Sequence, residues 1–75
     1  AKAELSPSFV MFVAALASKS DIEALNAVRG RGKLNMRELN HISKELTGKA
    51  QTQTFVRERK DAIKASRLKK QQDNS

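Results

Sequence analysis

Arg29-Gly30-Arg31-Gly32-Lys33-Leu34 puts three cations and two glycines into six positions with no acid among them. Such a stretch can be a nucleic-acid-binding element, a phosphate-cradling loop, or the joint between two helices, and its neighbours favour the joint. Upstream, Ser20-Asp21-Ile22-Glu23 fits a capping box: the serine accepts the amide three residues on, Glu23 reaches back, and both acids sit at the positive end of the helix dipole. Ile22, Leu25 and Val28 then recur every three residues, which predicts a short amphipathic helix from 21 to 29, closed by Gly30 in the left-handed conformation. Downstream, Asn35-Met36-Arg37-Glu38 repeats the start signal. Met36, Leu39, Ile42 and Leu46 form its apolar stripe, which runs to Gly48. Leu34 stands just before the cap, where an apolar side chain staples the turn.

Ser6-Pro7 opens the first helix, with a hydroxyl at the cap and proline at the first helical position. Phe9, Val10, Phe12, Val13 and Leu16 cover more than one face, which predicts a central helix ending near 17–19. The apolar run from Phe9 to Ala17 is nine residues long, about half of the ~20 a bilayer requires. Ala15-Leu16-Ala17 has the small-residue form of a signal-peptide cleavage site, but Lys2 is paired with Glu4, and Pro7 precedes the run. Cleavage there would also remove Phe9 and Phe12 from a thin core. A buried helix is the better reading, and the expected location is the cytoplasm of a bacterial cell or an infected host.

Gly48-Lys49-Ala50-Gln51-Thr52-Gln53-Thr54 is polar, carries two possible caps and reads as a loop or weak turn. A last helix is expected from Phe55, anchored by Phe55 or Val56, Ala62 and Ile63. Leu68 lies off that stripe, and the chain after Arg67 has no apolar face to bury and is expected to fray. The expectation is an all-α fold: a single domain over 1–70, built as a small bundle of three to four short helices with a basic C-terminal helix, and a disordered tail over 71–75.

A chain of 75 residues buries only about 60% of the surface its unfolded form exposes. It has no cysteine, which excludes disulfides and thiolate metal sites and suits a reducing compartment. The net charge of +7 and pI near 10.3 draw such a domain to polyanions, nucleic acid first and an acidic protein surface second. The excess is concentrated in residues 57–70, where seven cations face two acids, Glu58 and Asp61.

Enzymatic readings lack parts. One histidine and no cysteine leave no nucleophilic triad or metal cage. Glu38, His41 and Glu45 share a helix face at spacings that could hold one metal ion or one acid–base pair, but with no fourth ligand and no aromatic or glycine-rich cradle a solvated face is the plainer reading. Neither a cofactor nor a metal is expected. Gly32-Lys33 is followed by Leu34 and Gly48-Lys49 by Ala50, so neither has the hydroxyl that a phosphate loop places on its metal. Two RG repeats without aromatics do not make an RG-rich binding segment. Helices two and three invite comparison with a helix-turn-helix whose recognition positions would be Arg37, Asn40, His41 and Lys44. The Gly30–Leu34 linker is longer than that motif uses, however, and two packed antiparallel helices are the simpler reading. What remains is electrostatic. Arg29, Arg31 and Lys33 on the joint, with Arg57, Arg59, Lys60, Lys64, Arg67, Lys69 and Lys70 on the last helix, are the candidate nucleic-acid contacts, made to phosphates rather than bases. A solvated helix face, or a docking surface for an acidic protein, would use the same cations.

Residues 9 to 46 resemble the Hha/YmoA family of small nucleoid-associated modulators. The shared pattern is an apolar first helix, a polar break, the acid-led helix Asp21-Ile22-Glu23-Ala24-Leu25-x-x-Val28, a linker, and Leu34-Asn35-x-x-Glu38-Leu39 opening a third helix. The resemblance implies an all-α protein that binds an H-NS-type DNA-binding protein and modulates transcription, with little sequence-specific DNA binding of its own. The chain departs from that pattern in lacking aromatic residues toward its C-terminus and in ending with a basic helix. It is also similar over its whole length to small proteins encoded beside the recombination helicase of T-even phages, which implies a DNA replication, recombination or repair context and a helicase as partner.

Overall fold

The computed structural model describes residues 5–74, with side chains described from Leu5 to Leu68. Four helices follow in order: α1 Pro7–Leu16, α2 Asp21–Gly30, α3 Met36–Glu45 and α4 Ala50–Asn74, with no strand among the described residues. The first three begin at the caps expected of them. Ser6 Oγ accepts the Phe9 amide at 3.2 Å. Ser20 with Glu23 and Asn35 with Glu38 form reciprocal capping boxes, the latter at 2.8 and 2.9 Å. Each box satisfies two amides that a bare helix end would leave to water.

Core formation follows the expected stripes in part. Leu39 and Ile42 on α3 and Leu46 at its C-cap are fully buried. On α1, Phe9, Val13 and Leu16 are buried while Val10 is 39% and Met11 72% exposed. α1 therefore buries one face, against α2 and α3, and is not the central helix its apolar run suggested. On α2, Ala24 and Val28 are buried and Ile22 is exposed. The buried face of α2 is thus centred on Ala24 and Val28, and the expected Ile22 edge faces outward.

The central element is α4, which packs against both α2 and α3 and starts at Ala50, inside the stretch expected to be a loop. Lys49 holds the cap position, since its carbonyl accepts the Gln53 amide at 2.9 Å, but its side chain offers no acceptor. The cap comes from elsewhere. Asp21, at the start of α2, takes the Gln51 amide at 2.7 Å and the Thr52 amide at 3.0 Å. The fully buried Thr52 hydroxyl is 2.9 Å from the same carboxylate. In return, Lys49 Nζ donates to the Lys19 carbonyl at 2.7 Å. Gln53 closes the other side by donating to the Ser43 and Leu46 carbonyls at 2.8 and 2.7 Å and accepting from Ser43 Oγ. The first turn of α4 thus satisfies the start of α2 and the end of α3 together.

α4 spans about 37 Å at 1.5 Å per residue, most of the molecule's 46 Å length. Val56 is its last fully buried apolar residue, Ile63 is half-buried, and residues 64–68 are exposed. The distal half projects beyond the core. Its backbone stays helical past Arg67, where fraying was expected. The side chains of Lys69 to Asn74, together with Ser75 and Ala1 to Glu4, lie outside the described residues, so of the tail expected over 71–75 only the backbone of 71–74, which is helical, is described.

The left-handed position between α2 and α3 is Gly32, at φ +86°, and not Gly30, which belongs to α2. The Gly32 amide donates back to the Arg29 carbonyl at 3.3 Å, as at a glycine helix stop. A methyl group at Gly30 meets open space. Gly30→Ala is therefore expected to stabilise the protein by about 0.5–1 kcal/mol, and Gly32→Ala to destabilise it by at least about 1 kcal/mol. Chemical denaturation of the two variants checks this, and equal effects would place the turn elsewhere.

Candidate nucleic-acid interface

The basic run of α4 sorts onto one side of the helix. Taking Val56 as the core direction and about 100° per residue, Arg59, Lys60 and Arg67 fall within about 60° of that line, with Arg57 and Lys64 about 80–100° from it. Glu58, Asp61, Ala62 and Ala65 take the opposite half. Arg57, Arg59, Lys64 and Arg67 are exposed and Lys60 is half-buried. The face that buries Thr52 and Val56 in the proximal half thus continues as a cationic face where the core runs out. Lys69 and Lys70 lie outside the residues whose side chains are described.

The cations of the joint do not form a single cluster. Arg29 sits in the last turn of α2, where a positive charge suits the helix dipole. Arg31 turns toward α1, its guanidinium carbon 5.1 Å from the Phe9 ring centroid and 4.8 Å from that of Phe12. Lys33 turns the other way, toward α4, and lines a groove of about 430 Å³ with Leu34, Asn35, Glu38, Arg59 and Ile63. Of the ten candidate residues, the fold brings Lys33 and Arg59 together from separate elements and sets the exposed Arg31 over two rings of α1. Arg31→Gln is accordingly expected to cost about 0.5–1 kcal/mol of stability and Lys33→Gln almost none. Thermal melts of the pair test this, and the reverse order would contradict the stacking role.

The helix-turn-helix positions are divided as well. Arg37, Asn40 and Lys44 are exposed, but His41 is half-buried, with its ring 6.1 Å from Phe9 between centroids. Glu38 is engaged in its capping box, and no group of three or more metal-ligating side chains assembles among the described residues. No helix among the described residues is long and apolar enough to cross a membrane.

Asp21, Thr52 and Gln53 went unrecognised in the sequence as the residues that aim α4. Asp21 lies half-buried at the junction. Desolvation there opposes its charge, but the Gln51 and Thr52 amides, the Thr52 hydroxyl and nearby Lys49 more than offset it and hold the carboxyl below its ordinary value. Its capping partner lies 31 residues away, beyond any local motif.

No family model, curated protein or solved structure matches this chain. Its class is a small all-α protein, with four helices among the described residues and a projecting basic helix fixed at its proximal end.

Proposed function

We propose that this chain is a non-enzymatic accessory protein that holds DNA through phosphate contacts, without reading base sequence, in recombination, repair, replication or nucleoid-linked regulation in a phage or bacterium. The observation that carries the reading is the one-sided distribution of cations on the exposed half of α4. Arg59 to Arg67 span about 12 Å of helix axis, against about 3.4 Å per phosphate along one strand of duplex, so several phosphates fall within reach of one face. Base readout has little to work with. Phe9 is buried and Phe12 and Phe55 are half-buried, which leaves no stacking platform.

A second reading, an adaptor for an H-NS-type protein or a helicase with no direct DNA contact, is favoured by the exposed Val10 and Met11 on α1, whose residues carry no charge. It would also fit the resemblance of residues 9 to 46 to nucleoid-associated modulators. Titrating labelled protein with a mixed-sequence duplex while following amide shifts separates the two. Perturbation of Arg57, Arg59, Lys60, Lys64 and Arg67 beyond that of Glu58, Asp61 and Ala65 supports the phosphate face. A spectrum unmoved by DNA at low salt would leave the adaptor.

A further inference from the structure

The groove between the α2–α3 joint and α4 is chemically mixed in a way that phosphate binding does not call for. Its floor is apolar, made by Leu34, 7% exposed, and the half-buried Ile63. Its rim carries two cations, Lys33 and Arg59. Between them stand Asn35 and Glu38, each with only part of its side chain committed to the capping box. Asn35 Oδ1 accepts the Glu38 amide at 2.8 Å, and Glu38 Oε1 accepts the Asn35 amide at 2.9 Å. Asn35 Nδ2, a donor, and Glu38 Oε2, an acceptor, carry no hydrogen bond among the described residues.

We infer that this groove binds an extended acidic peptide segment of a partner protein. A peptide group offers one acceptor and one donor, which match Asn35 Nδ2 and Glu38 Oε2. A leucine-sized side chain would cover Leu34 and Ile63, and a flanking carboxylate would meet Lys33 and Arg59. The groove's volume, about 430 Å³, lies in the range of sites that hold a compact ligand. DNA fits this groove less well. A phosphodiester has no hydrogen-bond donor for Glu38 and gains nothing from an apolar floor. The site does not depend on the phosphate-contact reading, although Arg59 belongs to both surfaces, so peptide and DNA compete in part for the same protein.

The test is an amide- and methyl-shift titration of the full chain with a short acetylated and amidated peptide alternating glutamate and leucine. Matched lysine–leucine and glutamate–serine peptides and a DNA duplex serve as comparisons. Shifts are expected at Leu34, Asn35 and Ile63 with the glutamate–leucine peptide and not with the other two peptides. Affinity should fall roughly tenfold or more in Lys33→Glu, which reverses a rim charge, and comparably in Ile63→Gln, which keeps a helix-forming residue at a half-exposed position. Equal binding of the glutamate–serine or lysine–leucine peptide would overturn the proposal, since charge or apolarity alone would then suffice. So would a duplex that perturbs Leu34 and Ile63 as strongly as the peptide does. Loss of DNA binding with the peptide shifts intact would remove the phosphate-contact reading and leave the groove standing.

Discussion

Replacing Asp21 with alanine is expected to lower the melting temperature by roughly 5–15 °C, the scale of a lost helix cap in a domain of this size. It should also abolish the hydrogen-exchange protection of the Gln51 and Thr52 amides. The effect reaches past α2 because Asp21 serves two helices: it lies in the first turn of one and caps the other through Gln51 and Thr52. Removing it takes the acceptor from both amides and leaves the buried Thr52 hydroxyl only the Asp21 main-chain carbonyl, at 3.2 Å. Acid should mimic the substitution. A carboxyl held below its ordinary pKa in the folded state contributes fully above the unfolded value near about 3.9, and loses that contribution as the pH falls through the folded value. Melts of wild type should therefore steepen in their decline below about pH 4, and Asp21→Asn should flatten that part of the profile. Gln53→Leu, which removes the side-chain donor to the Ser43 and Leu46 carbonyls and leaves the latter only the Lys49 amide, is expected to cost about 1–3 kcal/mol while leaving the acid profile unchanged. Identical acid profiles for wild type and Asp21→Asn would show that this carboxylate does not secure α4.

The joint, the three capped helices and the α3 stripe were legible in the sequence because each rests on signals within four residues. Ser20 with Glu23, and Asn35 with Glu38, identify their own helices without help from the rest of the chain. α4 was not legible at its start. Its cap residue is Lys49, and the acceptor that does the capping sits 31 residues back, so Gln51 to Thr54 looked like a polar loop when they form a turn hydrogen-bonded to both Asp21 and the end of α3. Gly30 and Gly32 were indistinguishable locally, and one extra residue of helix decided between them. The candidate site was legible as charge but not as geometry. Ten cations could be named, yet only the register of α4 places Arg59 beside Lys33, and only the position of α1 draws Arg31 onto Phe9 and Phe12.

Exchanging Arg59, Lys60, Arg67 and Lys70 for glutamine is expected to produce the largest change in DNA binding. Each cation that neutralises a phosphate releases condensed counterions, and the log–log slope of affinity against salt is about −0.9 per contact on duplex DNA. Four lost contacts should reduce the slope by about 3 to 4 units. Between about 50 and 200 mM salt, the variant should lose far less affinity than wild type, because little of its binding is electrostatic. Since Arg59 and Arg67 are exposed and the helix is anchored through its first turn, the variant should keep its helicity. The loss should be the same for duplexes of unrelated sequence, as phosphate contacts carry no base information.

The most direct measurement is the fluorescence anisotropy of a labelled mixed-sequence duplex, titrated with wild type and with the four-glutamine protein across a series of salt concentrations. The expected result is a steep negative slope for wild type that falls by about 3 to 4 units in the variant. Parallel slopes with unchanged affinity would contradict a phosphate-binding role for α4.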